Sequence, residues 1–193
     1  MNIPSYGELY YDHYSKYVGE PVDLEIYKSS DDNPKLQILK YENVFQDCLV
    51  FNTLGLSHYE DRLQGLVEIS MVVDEAFGNT GYILANALFF CVENALEIGR
   101  GTAIRGIERF DKSFVEKYHK HAIYFTEPFA FPVEYSHVCT GSEKKGGKVL
   151  LAFFISQAEY DYLIQYGTEK LEDLLEMNEV DPFCVGRKCI IKT

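Results

Sequence analysis

Seven consecutive apolar residues, Val149-Leu-Leu-Ala-Phe-Phe-Ile155, limit what this 193-residue chain can fold into more than any other feature. The run is far shorter than the ~20 residues needed to span a bilayer. With no polar residue on either side, a strand over 148–155 must be covered on both faces, which makes it central in its sheet. Ser156 follows, and Glu159 stands three positions later, the spacing of a helix capping box. The helix it opens runs to about Tyr166 and stops at Gly167. A second short helix from Thr168 through Met177 carries Leu171, Leu174 and Leu175 on one side.

Upstream the periodicity changes repeatedly. Residues 5–19 read as a helix, with Ser5 and Glu8 as a capping box and Gly19 and Pro21 as the stop. Residues 22–27 and 36–41 alternate as two strands, and the turn cluster 29–34 joins them as a hairpin. Residues 48–56 form a short strand entering a turn at Gly55. From 66 to 74, Val67, Ile69, Met71 and Val73 share one face while Glu68, Ser70 and Asp74 share the other. That is the pattern of an antiparallel strand buried on one side. A helix is expected over 79–98, burying Ile83, Leu84, Ala87, Leu88, Cys91, Ala95 and Ile98 and ending at Gly99. Residues 121–131 form a further strand, 140–147 a mobile loop, and the tail from Asp181 a turn and a last short strand. The fold class is mixed α+β, with a mostly antiparallel or mixed central sheet and helices packed on it, in a single domain over residues 1–193.

The formal net charge is -12, from 30 acidic and 18 basic residues. Such a surface repels phosphate backbones and anionic lipid, which disfavours nucleic acid and membranes and favours a basic protein partner. The N-terminus has no basic stretch leading into an apolar run, so a cytoplasmic location is expected. The five cysteines are scattered without CxxC spacing, so neither a disulfide framework nor zinc is expected. Gly99–Gly106 has glycines but no lysine and reads as a connection after a helix. His119 and His121 share one strand face at most, without a third ligand. Ser57-His58 lacks a GxSxG elbow, Cys139 near His137 is no better, and Glu68, Asp74 and Glu75 read as solvated charge. No catalytic residue, metal or cofactor is assigned, and the chain is expected not to be an enzyme.

The order of several segments nevertheless resembles a known family. Asn52-Thr-Leu-Gly-Leu-Ser57, Leu66-Val-Glu-Ile-Ser-Met71, Leu150 to Glu159 running into Tyr162–Gly167, Leu171-Glu-Asp-Leu-Leu175, and Asp181-Pro182 with Arg187 are similar to the suppressor-of-fused domain over about residues 20–191. The resemblance implies a stand-alone bacterial member acting as an immunity protein or antitoxin that neutralises a toxin, often a nuclease. For an acidic chain the partner would be a basic toxin domain. The candidate partner-binding acids, chosen for expected exposure, are Asp31, Asp32, Glu172, Asp173 and Glu176. The alternatives are a regulatory module that grips a peptide by strand addition, as the animal relatives imply, and an enzyme without a recognisable motif.

Overall fold

A computed structural model describes residues 5–29, 35–74, 79–139 and 146–191. The apolar run forms β8 (Gly147–Ile155), in which only Lys148 is exposed. It lies between β4 (Val67–Val73), which runs parallel to it, and β6 (Ala122–Thr126), which runs antiparallel. The eight-stranded sheet has the order β1-β2-β3-β4-β8-β6-β5, with β7 (His137–Val138) pairing on β8. Here β1 is Asp23–Lys28, β2 Lys35–Glu42, β3 Leu49–Leu54 and β5 Ala103–Arg105. All described pairings except β4–β8 are antiparallel, so the sheet is mixed, one of the two arrangements expected, and β4, expected as an antiparallel strand, is antiparallel to β3 and parallel to β8.

Three apolar clusters cover the sheet, and β8 contributes to each. Leu150, Ala152 and Phe154 pack with Ile69, Met71 and Val73 beneath α3 (Thr80–Glu93) and α4 (Lys112–Tyr118). On the opposite face Val149 and Leu151 pack with Tyr10 and Tyr14 of α1 (Tyr6–Val18), and Phe153 and Ile155 pack with Leu163 of α5 (Gln157–Tyr166) and Leu171 of α6 (Thr168–Met177). The capping boxes expected at Ser5 and Ser156 both form. The Tyr10 hydroxyl donates to the carbonyls of Leu66 (3.0 Å) and Lys148 (3.2 Å), stitching the entries of β4 and β8 together. Gly147 permits this approach, since a Cβ there would stand 2.6 Å from the Tyr10 hydroxyl.

Several elements depart from the sequence pattern for identifiable reasons. In β4 the face carrying Val67, Ile69, Met71 and Val73 is buried as expected, yet Glu68 and Ser70 are buried too, because the layer built by α1 and Tyr135 covers their side. The α3 helix ends at Glu93 rather than near 98: the Asn94 backbone and side chain both bond the Phe90 carbonyl, and Ala95 takes a left-handed φ of 50°. Ala95 is therefore exposed, while Ile98 still reaches the core. The strand expected over 121–131 stops at Thr126, before Glu127-Pro128. The tail forms turns instead of a strand, and its Phe183 carbonyl and Val185 N–H bond Asp74 at the end of β4. The α4 helix, capped by Asp111, was not legible as a helix, and His119 ends it in a left-handed turn, so His119 and His121 do not share a strand. The expected loop over 140–147 and the 29–34 turn lie largely outside the described residues.

Leu88 is fully buried beneath the sheet. Leu88→Ala is expected to cost about 2–5 kcal/mol in denaturant unfolding; a loss below about 0.5 kcal/mol would contradict its placement.

Candidate functional site

Two buried carboxylates explain why the quoted motif residues stand where they do. Glu68, fully buried, receives the Thr53 hydroxyl on one oxygen (2.6 Å). Its other oxygen takes the Gly55 N–H (2.9 Å), the Ser57 N–H (2.9 Å) and the Ser57 hydroxyl (2.7 Å). The turn closes around the carboxylate, with Gly55 in the positive-φ region that a side chain rarely adopts. Burial pushes the Glu68 carboxyl up to about 7, and the four donors only moderate that rise. The expectation that Glu68 is solvated is thus corrected. Ser57 is committed to Glu68, which leaves it no part in a pair with His58.

Glu159 is the second. It caps α5, accepting the Ser156 N–H (2.8 Å), and meets Arg187 in a two-pronged ion pair at 2.6 and 3.0 Å. Arg187 also donates to the Phe154 carbonyl (3.3 Å), and Lys120 donates to the Arg187 carbonyl (2.7 Å). Burial raises the Glu159 carboxyl, but Arg187 outweighs it and holds the group below its ordinary range. Lys120 is pushed down to about 8, by burial first and then by the Arg187 charge. The tail is clamped to the helix start by charge.

The candidate acids fare differently. Asp31 and Asp32 lie outside the described residues. Glu172 is not a free surface charge: Arg100 donates to it through Nε (3.1 Å) and Nη2, and Tyr124 (2.8 Å) and Thr126 (2.6 Å) donate to its other oxygen. Burial raises the Glu172 carboxyl, but Arg100 and the two hydroxyls win and hold it low. Asp173 is exposed. Glu176 is exposed one turn beyond Glu172, and both border a cavity of about 600 Å³.

This cavity is the candidate site. Tyr124, Phe153 and Leu175, all buried, form its floor, and the exposed Glu127, Glu176 and Glu179 stand on its rim. Phe129 on the same rim is 61% exposed, its ring stacked against Phe183 with centroids 6.0 Å apart and planes 1° from parallel. Arg100 also lines the cavity but is engaged by Glu172, so an apolar floor under the three exposed carboxylates suits a cation on an apolar stem, and an exposed, pre-stacked ring suits a contact surface. The sequence pattern missed Glu127 and Phe129 because both fell inside an over-long strand; Pro128 between them was the available signal of a break. Among the described residues no group of three or more His, Cys, Asp or Glu is placed to hold a metal, and no helix is long and apolar enough to cross a membrane.

A family model described as suppressor of fused protein matches residues 32–188. No curated protein matches the chain. Among solved structures, one described as a suppressor-of-fused homologue from Neisseria gonorrhoeae superposes with a TM-score of 0.74 at 14% identity, covering 97% of this chain and 98% of that one. The crystal structure of the Sufu–Fu complex superposes with a TM-score of 0.66 at 10% identity, covering 98% and 93%. At these identities the likeness is one of fold.

Glu68 sets a pH dependence. Its folded value, about 7, lies above its ordinary 4.5, so between these the folded chain holds a proton that the unfolded chain has lost. Stability from this group is complete below 4.5 and falls away as pH rises through 7. Glu68→Gln should flatten the slope of unfolding free energy over that window in urea titrations, relative to the parent. Parallel slopes for the two proteins would refute the assignment.

Proposed function

Since the chain belongs to the suppressor-of-fused family, we propose that it is a binding protein which captures a basic partner over the cavity beside α6, and that this partner is a toxin domain which the chain neutralises as an immunity protein. The observation that carries the reading is the exposed Phe129 beside an aromatic-floored cavity with Glu127, Glu176 and Glu179 on its rim. The net charge of -12 would steer a basic domain toward this chain. The desolvated contact would rest on the Phe129 ring and on a basic side chain whose apolar stem lies along Phe153 and Leu175 while its charge meets the rim. Glu172 serves differently from the other acids, fixing α6 to β6 through Tyr124 and Thr126 so that the rim is rigid before contact. The Sufu–Fu structure supports a protein as the kind of ligand.

The test is co-expression with a basic toxin-like chain, taken from a neighbouring gene where one encodes such a chain, scored by survival and followed by association kinetics. The association rate should fall as salt rises from low ionic strength, since exposed charges are screened over about 10 Å at 0.1 M. Phe129→Ala should speed dissociation by about tenfold or more, as loss of a hot-spot ring does. Glu176→Lys should chiefly slow association. No rescue and no complex would remove the immunity reading for that pair. A complex untouched by Phe129→Ala would move the contact to a sheet edge, as in a peptide gripped by strand addition.

A further inference from the structure

The two edges of the sheet are unlike. At one end β5 has only three residues, set between Gly101 and Gly106 at positive φ, and Arg105 lies over the Tyr160 ring of α5. At the other end β1 extends over six residues without proline, and among the described residues its outer edge pairs with no strand. Long unprotected edges offer their free N–H and C=O groups to another chain. The side chains of β1 sharpen the offer. Leu24 stands opposite Leu39 of β2 and Ile26 opposite Gln37, which places Val22, Leu24 and Ile26 on the face that α1 covers farther in. Over β1 that cover has ended: Val22 is 57% exposed, Leu24 46% and Ile26 59%. On the reverse face Tyr27 packs against Gly81 and Tyr82 of α3, while Asp23 and Glu25 are exposed.

We infer that β1 is a self-association edge, where a second copy of this chain pairs antiparallel about a two-fold axis and joins the two sheets into one. The sequence of β1 selects its own mate. A two-fold perpendicular to the sheet keeps each face on its side, so only residues of the same face stand opposite each other. Two such registers overlap five residues of each Asp23–Lys28 strand. One sets Glu25 against Glu25 of the second copy, like charges directly opposite, which is destabilising. The other sets Ile26 against Ile26 of the second copy, with Leu24 against Lys28 and Glu25 against Tyr27, and no like charges meet. In that register Leu24 and Ile26 of both copies gather on one face about the axis, each Leu24 beside the Lys28 of the other copy, and the two α1 helices lie on that same face farther in. Each copy carries -12, so long-range repulsion opposes the pairing and salt should strengthen it. That is the reverse of the dependence expected for a basic partner, so the two surfaces are separable by experiment.

The experiment is sedimentation equilibrium of the full chain from about 5 to about 500 µM, at low and at high salt. A reversible dimer whose dissociation constant falls with salt is expected, and Ile26→Lys should raise that constant by about tenfold or more by setting two ammonium groups on the axis. Ile26 is exposed, so this variant should fold, which its circular dichroism melt checks. For the register, Ile26→Cys in a chain with the exposed Cys139 and Cys189 changed to Ser should form a disulfide-linked dimer on mild oxidation, because cross-strand Cβ atoms lie about 4.5–5.5 Å apart. Val133→Cys in the same chain, at an 83% exposed site away from β1, is the control. A chain that stays monomeric throughout, a dimer indifferent to Ile26→Lys, or cross-linking no faster at 26 than at 133 would each overturn the inference.

Discussion

Val149, Leu151 and Phe153 on one side of β8, and Leu150, Ala152 and Phe154 on the other, leave that strand no face that tolerates water. Covering both faces takes more elements than one helix per side. The α3 and α4 helices cover one face along its length, while the other is divided between α1 near the start of β8 and the α5–α6 pair near its end. This division draws the N-terminal helix, distant in sequence, onto the middle of the sheet, and so takes the reverse face of β4 out of solvent. A fully two-sided core also explains how one parallel pairing persists in an otherwise antiparallel sheet, since parallel pairs are found where both faces are covered.

Enclosing β4 and β8 in this way leaves polar groups that must be satisfied internally. Glu68 is satisfied by a turn shaped around it, and Glu159 by an arginine brought from the tail. Neither arrangement is strong evidence of net stability: Glu68 is desolvated with neutral donors alone, and for Glu159 and Arg187 removing two charges from water costs about as much as a good pair returns. Their effect is specificity of connection: the 53–57 turn has one seat, and the 181–191 tail has one place to end. The raised Glu68 carboxyl and the lowered Glu159 carboxyl show the two outcomes of burial, with neutral donors only in the first case and a guanidinium in the second.

The same layering leaves two surfaces unfinished. Near β6 and α6, the floor of aromatic and aliphatic side chains is open between rim acids, and Glu172 is held as a strut rather than as bait. At β1 the α1 layer stops short of the sheet edge. Five strand spacings separate β1 from β6 in the sheet order, about 24 Å at ~4.8 Å each. Occupation of one surface therefore leaves the other accessible.

Local pattern determined a good deal of this protein. The apolar run at 149–155 specified a central strand, the Ser5/Glu8 and Ser156/Glu159 pairs specified helix starts, and the alternation over 67–73 specified which residues of β4 face α3; each depends on neighbours within a few residues. Glu68 shows where that reading ends. Alternation places its side chain opposite Ile69 but says nothing about what lies over that side, and only the arrival of α1 and the 53–57 turn makes it buried. Glu172 and Glu176 are one helical turn apart and indistinguishable by local pattern, yet Arg100, Tyr124 and Thr126, 46 or more positions away, pin one and leave the other free. Phe129 is an ordinary aromatic in the sequence, and only the fold makes it an exposed ring with Phe183 stacked against it. Burial, charge pairing and exposure are properties of contacts between distant segments, and those contacts exist only once the chain has closed on itself.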